Sequence, residues 1–353
     1  MKDKKVVFKR CGKNPLIRPG DVTPSTEGFR VVGAFNPGAA VFNDEIILLL
    51  RVAEDCVPSP DKIRVPFYDF RGNVGVPGIM QFDDDNPDVH LKDSRGVVYK
   101  GKDYLSSISH IRLARSKNGI DFTVDDKPFI YPCSAEEDYG IEDARVSFID
   151  GRYFINYTIV SGDGWSTALS VTDDFVTHKR LGIIFCPQNK DVSIFPGKIN
   201  GKYAALHRPN NDGFGKPSIW YAHSLNLLHW GNHKCIARPR NNDYEKLKIG
   251  GGSAPLKTDK GWLCIYHAKN ENSRYSLFAM LLDINEPWKV LKRPGKPLLV
   301  PEEEYETNGF FPNVVFNNGI IEKDGCVYLY YGASDETSCL ATSTVDEIMQ
   351  TLL

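Results

Sequence analysis

The sequence predicts an all-β protein, namely a five-bladed β-propeller with an insertion in its first blade and a short helix at the C-terminus. Three observations support this fold class. A hairpin-like unit recurs along the chain, each unit carries a different polar cluster before its first strand, and helical patterns are scarce. Propeller blades are four-stranded sheets around a central axis, so repeated units with changing polar tips are typical of blades that converge on one site.

Each unit contains two β-rich runs joined by a tight turn, which is the signal of a β-hairpin. The predicted turns are Asp44-Glu45, Asp150-Gly151, Asn200-Gly201, Lys260-Gly261 and Asp324-Gly325. The clusters leading into the first strands are Asn36-Pro37-Gly38, Asp143, Asp191, Gly250-Gly251-Gly252-Ser253 and Asn313. The second strands end in polar residues at places that we interpret as equivalent, which are Arg51, Thr158, Arg208, His267 and Asp335. A β-sandwich with several hairpins is the alternative, and the recurrent polar ends favour the propeller.

One region, from Arg51 to Gly140, is longer than a single blade hairpin requires. It contains an acidic stretch at residues 81–88 and a predicted strand pair at residues 96–99 and 104–114. We interpret it as an insertion in the first blade that forms a rim loop beside the site, although Asp93-Ser94-Arg95 could instead mark a sixth blade. At the other end of the chain, residues 345–353 are the best helix candidate, with Thr344 as the N-cap.

Composition narrows the class of protein. The chain has 353 residues, 41% hydrophobic, and a formal net charge of −2. Glycine and proline are evenly spread, so we predict one catalytic domain over residues 1–353 with a large core. There is no basic stripe that would favour nucleic acid, and no apolar run approaches the ~18 residues of a membrane helix. Residues 1–5 are followed by too little apolar sequence for a signal peptide.

The cysteine and histidine patterns indicate neither disulfides nor metal. The eight cysteines show no C-x-x-C spacing, which favours reduced thiols and a cytoplasmic location. His229 and His233 are four residues apart, but Gly231-Asn232 separates them and no glutamate follows His229. They therefore do not form an H-E-x-x-H zinc helix, and we expect no metal or cofactor. The sequence does not predict whether the protein forms a homo-oligomer.

In a propeller, the polar clusters would meet near the central axis. The starts of the innermost strands would gather Asn36, Asp143, Lys190-Asp191, Gly250–Gly252 and Asn313, and the second strands would add Arg51, Arg208, His267 and Asp335. Buried charges are costly unless they are paired or used. Glu142 and Arg145 could form an ion pair that locks blades together. Arg208 and His267 lie at matching ends of adjacent blades, which favours an anion site.

A carboxylic acid beside an anion site suggests glycosyl transfer. An inverting glycosidase needs an acid and a base ~6.5–9.5 Å apart, with water between them. A phosphorylase needs only the acid, because phosphate is already an anionic nucleophile and cationic residues hold it in place of the base. The predicted cluster matches the second pattern.

Four segments, GIEDARV, NKDVSIFPGKINGKYAALHRP, IGGGSAPLKTDKGWLCIYHA and NVVFNNGIIEKDGCVYLYYGASD, resemble the successive signatures of glycoside hydrolase family 130, five-bladed propellers acting on β-mannosides. The resemblance runs from about Gly33 to Asp335. It implies that Asp143 is the general acid, acting through a hydroxyl of the bound mannose. It also implies mannose-binding roles for Asn36, Arg51 and Asp335, with Arg145 in the same substrate-binding group, and phosphate-binding roles for Lys190, Arg208 and His267. The family's usual Glu-Asp-Pro-Arg reads Glu-Asp-Ala-Arg here.

The long insertion and the GIEDARV form are most similar to the branch of the family acting on β-1,2-linked mannobiose and oligomannan. The implied reaction is inverting, reversible phosphorolysis to α-mannose 1-phosphate and a shortened mannoside, with inorganic phosphate as co-substrate. The alternatives are a phosphorylase of β-1,4-linked mannosides and an inverting β-mannosidase with Asp191 or Asp335 as second carboxylate. A third alternative is a non-enzymatic sugar-binding propeller, whose stacking aromatics would be Trp165, Phe195, Tyr266 and Phe310.

Overall fold

Nearly all the regular structure of this protein is β-strand. The computed structural model describes residues 7–72, 74–93, 96–210 and 213–352. Within them the two α-helices are short, α1 at Glu304–Thr307 and α2 at Val345–Gln350. The prediction of an all-β chain with a C-terminal helix is therefore confirmed. Parts of two sequence predictions, the N-terminal residues 1–5 and the Ser94-Arg95 end of the possible sixth-blade marker, lie outside the described residues.

The main strands, numbered along the chain, form five antiparallel groups. Group 1 contains β2 (Phe29–Phe42), β3 (Glu45–Cys56), β9 (Ser107–Ser116) and β10 (Thr123–Ile130). Group 2 contains β11 (Gly140–Ile149), β12 (Arg152–Ser161), β13 (Gly164–Thr172) and β14 (Lys179–Phe185). Group 3 contains β15 (Asn189–Ile199), β16 (Lys202–Pro209), β17 (Ile219–Ser224) and β18 (Trp230–Ala237). Group 4 contains β19 (Lys248–Gly251), β20 (Leu256–Thr258), β21 (Gly261–Lys269), β22 (Tyr275–Leu282) and β23 (Val290–Lys292). Group 5 contains β24 (Val315–Lys323), β25 (Cys326–Ala333), β26 (Thr337–Thr344) and, from the N-terminus, β1 (Lys9–Arg10).

Each group packs against the next through its own apolar core, and group 5 packs against group 1. Ile47 and Leu49 of group 1 meet Ile141 and Tyr157 of group 2 in one of these cores. Corresponding cores lie between groups 2 and 3, 3 and 4, and 4 and 5. The fifth core joins residues 48 and 50 of group 1 to residues 321, 330 and 340 of group 5. The five groups are therefore packed in a closed cycle, and β1 on β26 ties the two ends of the chain together.

The insertion in group 1 is confirmed, but its strands differ from the prediction. It forms a hairpin of β4 (Lys62–Arg71) with β5 (Val74–Asp83) and a small sheet of β6 (Val89–Asp93), β7 (Gly96–Tyr99) and β8 (Lys102–Leu105). Because β3 and β9 pair directly, the insertion separates them along the chain but leaves the sheet of group 1 continuous. The expected strand at residues 104–114 is divided, since β8 pairs with β7 whereas β9 turns back into group 1 and buries its apolar side chains there.

The hairpin turns were predicted correctly in three groups and shifted in two. Asp150-Gly151, Asn200-Gly201 and Asp324-Gly325 all have positive φ at both residues, as a type I′ turn requires. The first turn is at residues 43–44, with φ of 48° and 62°, because β3 already begins at Glu45. The fourth turn lies at residues 259–260, before β21 begins at Gly261.

Candidate active site

The first strands of groups 1, 2 and 3 carry the same β-bulge, and each bulge begins with a residue in the left-handed conformation. These residues are Asn36, Asp143 and Asp191, with φ of 48°, 52° and 55°. The strand pairing skips two residues at each of them. Asn and Asp tolerate this conformation better than other non-glycine residues, and a bulge re-aims a side chain away from the regular alternation. The sequence placed these residues before the strands, whereas they lie within them.

The second strands place their polar residues opposite these bulges. Arg51 pairs with Phe35, Arg208 pairs with Lys190, and His267 pairs with Gly250 at the start of group 4. Asp335 does not follow this pattern, because β25 ends at Ala333 and Asp335 lies in the turn beyond it at φ 54°. The prediction that all five second-strand residues are equivalent is therefore wrong for Asp335.

Most of the predicted residues meet in one pocket that encloses about 490 Å³, including its open mouth. Its lining consists of Asn36, Arg51, Asp143, Lys190, Asp191, Arg208, Lys248, Tyr275, Phe311, Val314, Phe316 and Asp335. His267 and Arg145 are fully buried behind this lining, and Asn313 lies beside it. Lys248, Tyr275 and Phe311 were not predicted from the sequence.

Asp143 is held on one side of the pocket by Asn36 and Arg51. Its Oδ1 accepts a hydrogen bond of 2.9 Å from Asn36 Nδ2 and lies 3.7 Å from Arg51 Nη1. Arg51 in turn stacks over the ring of Phe35, with 4.8 Å from its guanidinium carbon to the ring centroid. The backbone of Gly332 makes room for this arrangement, since a Cβ there would lie 1.9 Å from Asn36 Oδ1. Asp143 is therefore fixed in position while it faces the pocket.

Asp335 is a second carboxyl group in the pocket. Burial and the nearby carboxylates of Asp143 and Glu142 together raise its pKa to about 6, against the opposing effect of Arg51. The pocket thus contains two different carboxyl groups. Asp143 is held in place by Asn36 and Arg51, whereas Asp335 takes up a proton in mildly acidic solution.

The carboxylate of Asp191 contacts two arginines and one histidine. It is fully buried, with Oδ2 2.5 Å from Arg208 Nη1 and 3.1 Å from His267 Nε2, and Oδ1 3.4 Å from Arg145 Nη2. Burial disfavours its charged form, but Arg208 and His267 outweigh burial and hold the pKa of Asp191 well below its usual range. Burial lowers the pKa of His267 to about 4, so its imidazole is neutral at pH 7. Asp191 therefore fixes Arg208 and His267 rather than accepting protons.

The glycine run at the start of group 4 leaves space for the buried side chains of Asp191 and His267. A Cβ on Gly250 would lie 2.2 Å from Asp191 Oδ2 and 2.5 Å from His267 Nε2. On Gly251 it would lie 2.7 Å from Ser193 Oγ. Real Cβ contacts do not come this close, so the glycines are required by the side chains of group 3.

Glu142 and Arg145 do not pair with each other, contrary to the sequence-based interpretation. Arg145 bonds Asp191 and donates to the carbonyl oxygen of Gly251 at 3.2 Å. Glu142 instead accepts from Arg51 Nη2 at 2.7 Å through Oε1, and its Oε2 lies 3.6 Å from Lys190 Nζ. The bulge at Asp143 separates the two side chains, so that Arg145 faces group 3 from behind the pocket and Glu142 lies at its edge.

Three cationic side chains, those of Lys190, Arg208 and Lys248, line the pocket. Lys190 and Arg208 each have a carboxylate partner. No carboxylate lies within ion-pair distance of Lys248 among the residues that the structure describes, and its nearest aromatic neighbour is Tyr275, with 5.4 Å from Nζ to the ring centroid. Burial, Arg208 and Lys190 together lower the pKa of Lys248 to about 7, against the opposing effect of Asp191. The sequence gives no signal for Lys248 like that for Lys190, because the residue whose pairing corresponds to that of Lys190 is Gly250, two positions after Lys248.

The aromatics that the sequence offered as sugar-stacking platforms are mostly unsuitable. Phe195 and Tyr266 are fully buried in the core between groups 3 and 4. Trp165 and Phe310 are accessible but do not line the pocket, where Phe311, Phe316 and Tyr275 provide the apolar wall. The platforms proposed for a non-enzymatic sugar-binding protein are therefore not assembled in the pocket.

Within residues 7–72, 74–93, 96–210 and 213–352, no group of three or more His, Cys, Asp or Glu side chains is arranged to hold a metal ion. All eight cysteines are free thiols. Among the described helices, none is long and apolar enough to cross a membrane.

The pocket combines a carboxyl group held by Asn36 and Arg51 with the cations Lys190, Arg208 and Lys248, an arrangement suited to glycosyl transfer with an anionic nucleophile. A family profile described as beta-1,4-mannooligosaccharide phosphorylase matches residues 82–353. The chain belongs to glycoside hydrolase family 130.

Two characterised relatives are similar over most of the chain. The beta-1,2-mannobiose phosphorylase of Listeria innocua serovar 6a is 44% identical over 348 residues, which cover 97% of this chain and 98% of the relative. The 1,2-beta-oligomannan phosphorylase of Thermoanaerobacter sp. strain X514 is 38% identical over 261 residues, covering 71% and 86%. The solved complex of the Listeria innocua enzyme with beta-1,2-mannobiose has 43% identity and a TM-score of 0.91, covering 98% of this chain and 99% of that one.

Proposed function

We propose that the protein is an inverting phosphorylase that converts β-1,2-linked mannobiose and short oligomannan, with inorganic phosphate, into α-mannose 1-phosphate and a shortened mannoside. The observation that carries this proposal is the set of three cationic side chains, Lys190, Arg208 and Lys248, that lines one pocket together with Asp143. Such a set of cations is stabilised by a bound anion. The near full-length similarity to a beta-1,2-mannobiose phosphorylase supports the linkage.

We further propose that the five strand groups are the blades of a five-bladed propeller within one catalytic domain. Their cyclic packing through five cores supports this arrangement. Bulges in the first strands of three groups carry side chains to one pocket, which is expected where the inner strands of blades surround a common axis.

Asp143 acts as the general acid in this proposal. Its proton passes to a hydroxyl of the bound mannose, and the proton of that hydroxyl passes to the glycosidic oxygen as the bond to the anomeric carbon breaks. Asn36 and Arg51 keep the carboxyl group in position through their contacts with Oδ1. General acid catalysis of this kind typically contributes ~10²–10⁴-fold to the rate.

The mannose unit whose bond breaks is held by Asn36, Arg51 and Asp335, which all line the pocket beside Asp143. Arg145 was grouped with them on the basis of sequence. Its burial and its contact with Asp191 support a different role, in which it stabilises the carboxylate that fixes Arg208.

Phosphate binds to Lys190, Arg208 and Lys248 and attacks the anomeric carbon from the α face while the leaving group departs from the β face. Guanidinium and ammonium groups neutralise the dianion and align it, which combines positioning with electrostatic stabilisation. His267 contributes through Asp191, since its Nε2 contacts that carboxylate and its ring does not line the pocket.

Hydrolysis by an inverting β-mannosidase is the main alternative, and it requires a carboxylate base. Asp191 is unsuited, because three partners occupy it and its pKa is well below the usual range. Asp335 lines the pocket with a pKa of about 6 and is the remaining candidate for the base.

A linkage panel tests the proposal. The enzyme is incubated with β-1,2-, β-1,3- and β-1,4-linked mannobiose, each with and without phosphate, and the products are separated. We expect α-mannose 1-phosphate from the β-1,2-linked substrate only when phosphate is present. A higher rate on β-1,4-mannobiose would reassign the linkage, and mannose released at equal rates without phosphate would identify a hydrolase.

A further inference from the structure

We infer that Glu142 is a positioning residue that links the mannose side of the pocket to the phosphate side and restrains phosphate affinity by competing for Lys190. This inference rests on the proposed phosphorylase function and adds a residue to which no role has been assigned above. It depends on one carboxylate that contacts two cations from different strand groups.

The contacts of Glu142 span three groups of strands. Glu142 lies on β11 of group 2, directly before the bulge at Asp143. Its Oε1 accepts a 2.7 Å hydrogen bond from Arg51 on β3 of group 1, and its Oε2 lies 3.6 Å from Lys190 Nζ on β15 of group 3. Its side chain is only 15% exposed, so solvent screens these contacts weakly.

The contacts of Glu142 with Arg51 and with Lys190 have different consequences. Arg51 also lies 3.7 Å from Asp143 Oδ1, so Glu142 and the proposed acid share this guanidinium, and Glu142 helps to fix its position. Lys190 has Glu142 as its one carboxylate partner within 4 Å among the described residues. An incoming phosphate must therefore share or displace the carboxylate that already partly neutralises Lys190.

Opposite effects on the two substrates follow from this geometry. In Glu142→Gln, Lys190 loses its counter-ion, and the Michaelis constant for phosphate should fall about two- to fivefold, as expected for one partly exposed ion pair. In the same variant Arg51 loses the carboxylate that fixes its Nη2, so its position beside Asp143 and the mannose is less well defined. As a result, kcat/KM for β-1,2-mannobiose should fall about tenfold.

The experiment measures two constants, the Michaelis constant for phosphate and kcat/KM for β-1,2-mannobiose, in the wild type, in Glu142→Gln and in a control, Asp138→Asn. Asp138 lies four residues earlier, pairs with Lys102 of the insertion at 3.1 Å and does not line the pocket. Asp138→Asn should leave both constants unchanged, which separates the loss of this particular carboxylate from a general loss of negative charge. Glu142→Asp, which withdraws the carboxylate by one methylene, should lower the phosphate constant by a smaller factor and serves if the glutamine variant does not fold.

A double-mutant cycle isolates the pair, because coupled residues show non-additive effects. In a Lys190→Met background, Glu142→Gln should no longer change the Michaelis constant for phosphate. An increase of the Michaelis constant for phosphate in Glu142→Gln, or no change in either constant, would overturn the inference while leaving the phosphorylase intact. A wild-type enzyme that needs no phosphate would instead overturn the proposed function itself.

Discussion

Asn36, Asp143 and Asp191 combine a left-handed backbone with a polar side chain that faces other polar groups of the site. Asp143 and Asp191 have the same backbone conformation but opposite electrostatic surroundings. Asp191 contacts three partners and is fully buried, whereas Asp143 faces the pocket and is held by Asn36 and Arg51. The surroundings, rather than the residue type, therefore distinguish a carboxyl group that can transfer a proton from one that only holds cations.

Replacing Asp143 by Asn tests the acid. The amide still accepts a hydrogen bond from its neighbours but cannot deliver a proton, so turnover of an unactivated mannoside should fall by at least ~10²-fold. The melting temperature should stay within a few degrees of wild type. Steady-state kinetics and a thermal melt measure the two effects, and a variant with wild-type turnover would remove Asp143 from the mechanism.

Asp335 should make stability depend on pH in a predictable direction. Its folded pKa of about 6 is above the ordinary value of ~3.9, so its ionised form is disfavoured in the folded state. The cost is absent at pH 3 and grows as pH rises through 4 to 6. Asp335→Asn should therefore raise the melting temperature at pH 8, leave it unchanged at pH 3, and abolish most mannoside turnover. An equal shift at both pH values would contradict the assigned pKa.

Gly250 offers a residue-scale test of the phosphate side. A Cβ at this position would lie 2.2 Å from Asp191 Oδ2, so Gly250→Ala must displace Asp191 and with it Arg208. We expect a loss of about 1–3 kcal/mol in the free energy of unfolding and a larger increase in the Michaelis constant for phosphate than for mannobiose. Gly295→Ala is the matched control, since no atom lies within 4 Å of its Cβ. Equal behaviour of the two variants would contradict the packing described here.

At the scale of elements, the hairpins and the C-terminal helix could be predicted from the sequence, whereas the bulges could not. Asp-Gly and Asn-Gly pairs specify their turns locally, because few other residues adopt positive φ at two successive positions. The bulges at Asn36, Asp143 and Asp191 depend on the opposite strand, and no local signal places them inside a strand. The division between β8 and β9 was missed for the same reason, since pairing with β3 decides it.

Of the candidate site, the sequence identified the polar residues at the bulges and second strands but not all of their roles. Lys248 was missed because a lysine before a glycine run is usually a solvated residue, and its burial next to Arg208 appears only in three dimensions. Arg145 was grouped with the substrate because its Glu-Asp-Ala-Arg motif resembles that of the family. The bulge instead directs it to Asp191.

Helix α2 begins with a capping box formed by Thr344 and Glu347. The hydroxyl of Thr344 accepts a hydrogen bond from Glu347 N at 3.1 Å, and the Glu347 carboxylate accepts one from Thr344 N at 3.3 Å. Thr344→Ala removes this capping box and should cost ~1 kcal/mol of stability. Turnover should be unaffected. Chemical denaturation measures the change, and Thr344→Ser, which keeps the hydroxyl, should remain close to wild type. Equal losses in both variants would show that the cap is not responsible.

At the scale of the whole molecule, the cyclic packing of the five groups explains why one pocket collects residues from distant parts of the chain. Asn36 and Asp143 are in hydrogen-bond contact although 107 positions separate them. Group 1 contributes Asn36 and Arg51 to the lining, and groups 2 and 5 contribute the carboxyl groups of Asp143 and Asp335. Groups 3 and 4 contribute the cations Lys190, Arg208 and Lys248. In the proposed mechanism, the first set of groups holds the mannose and the second set holds the phosphate.

The dependence of product formation on phosphate tests this account most directly. The enzyme is given β-1,2-mannobiose at a fixed concentration while phosphate is varied from zero to saturation, and α-mannose 1-phosphate and free mannose are quantified together by phosphorus and proton NMR. The account predicts that α-mannose 1-phosphate forms with saturable dependence on phosphate, with one mannose released for each molecule formed, and that neither product forms without phosphate. Two molecules of mannose for each mannobiose consumed, at a rate independent of phosphate, would contradict it.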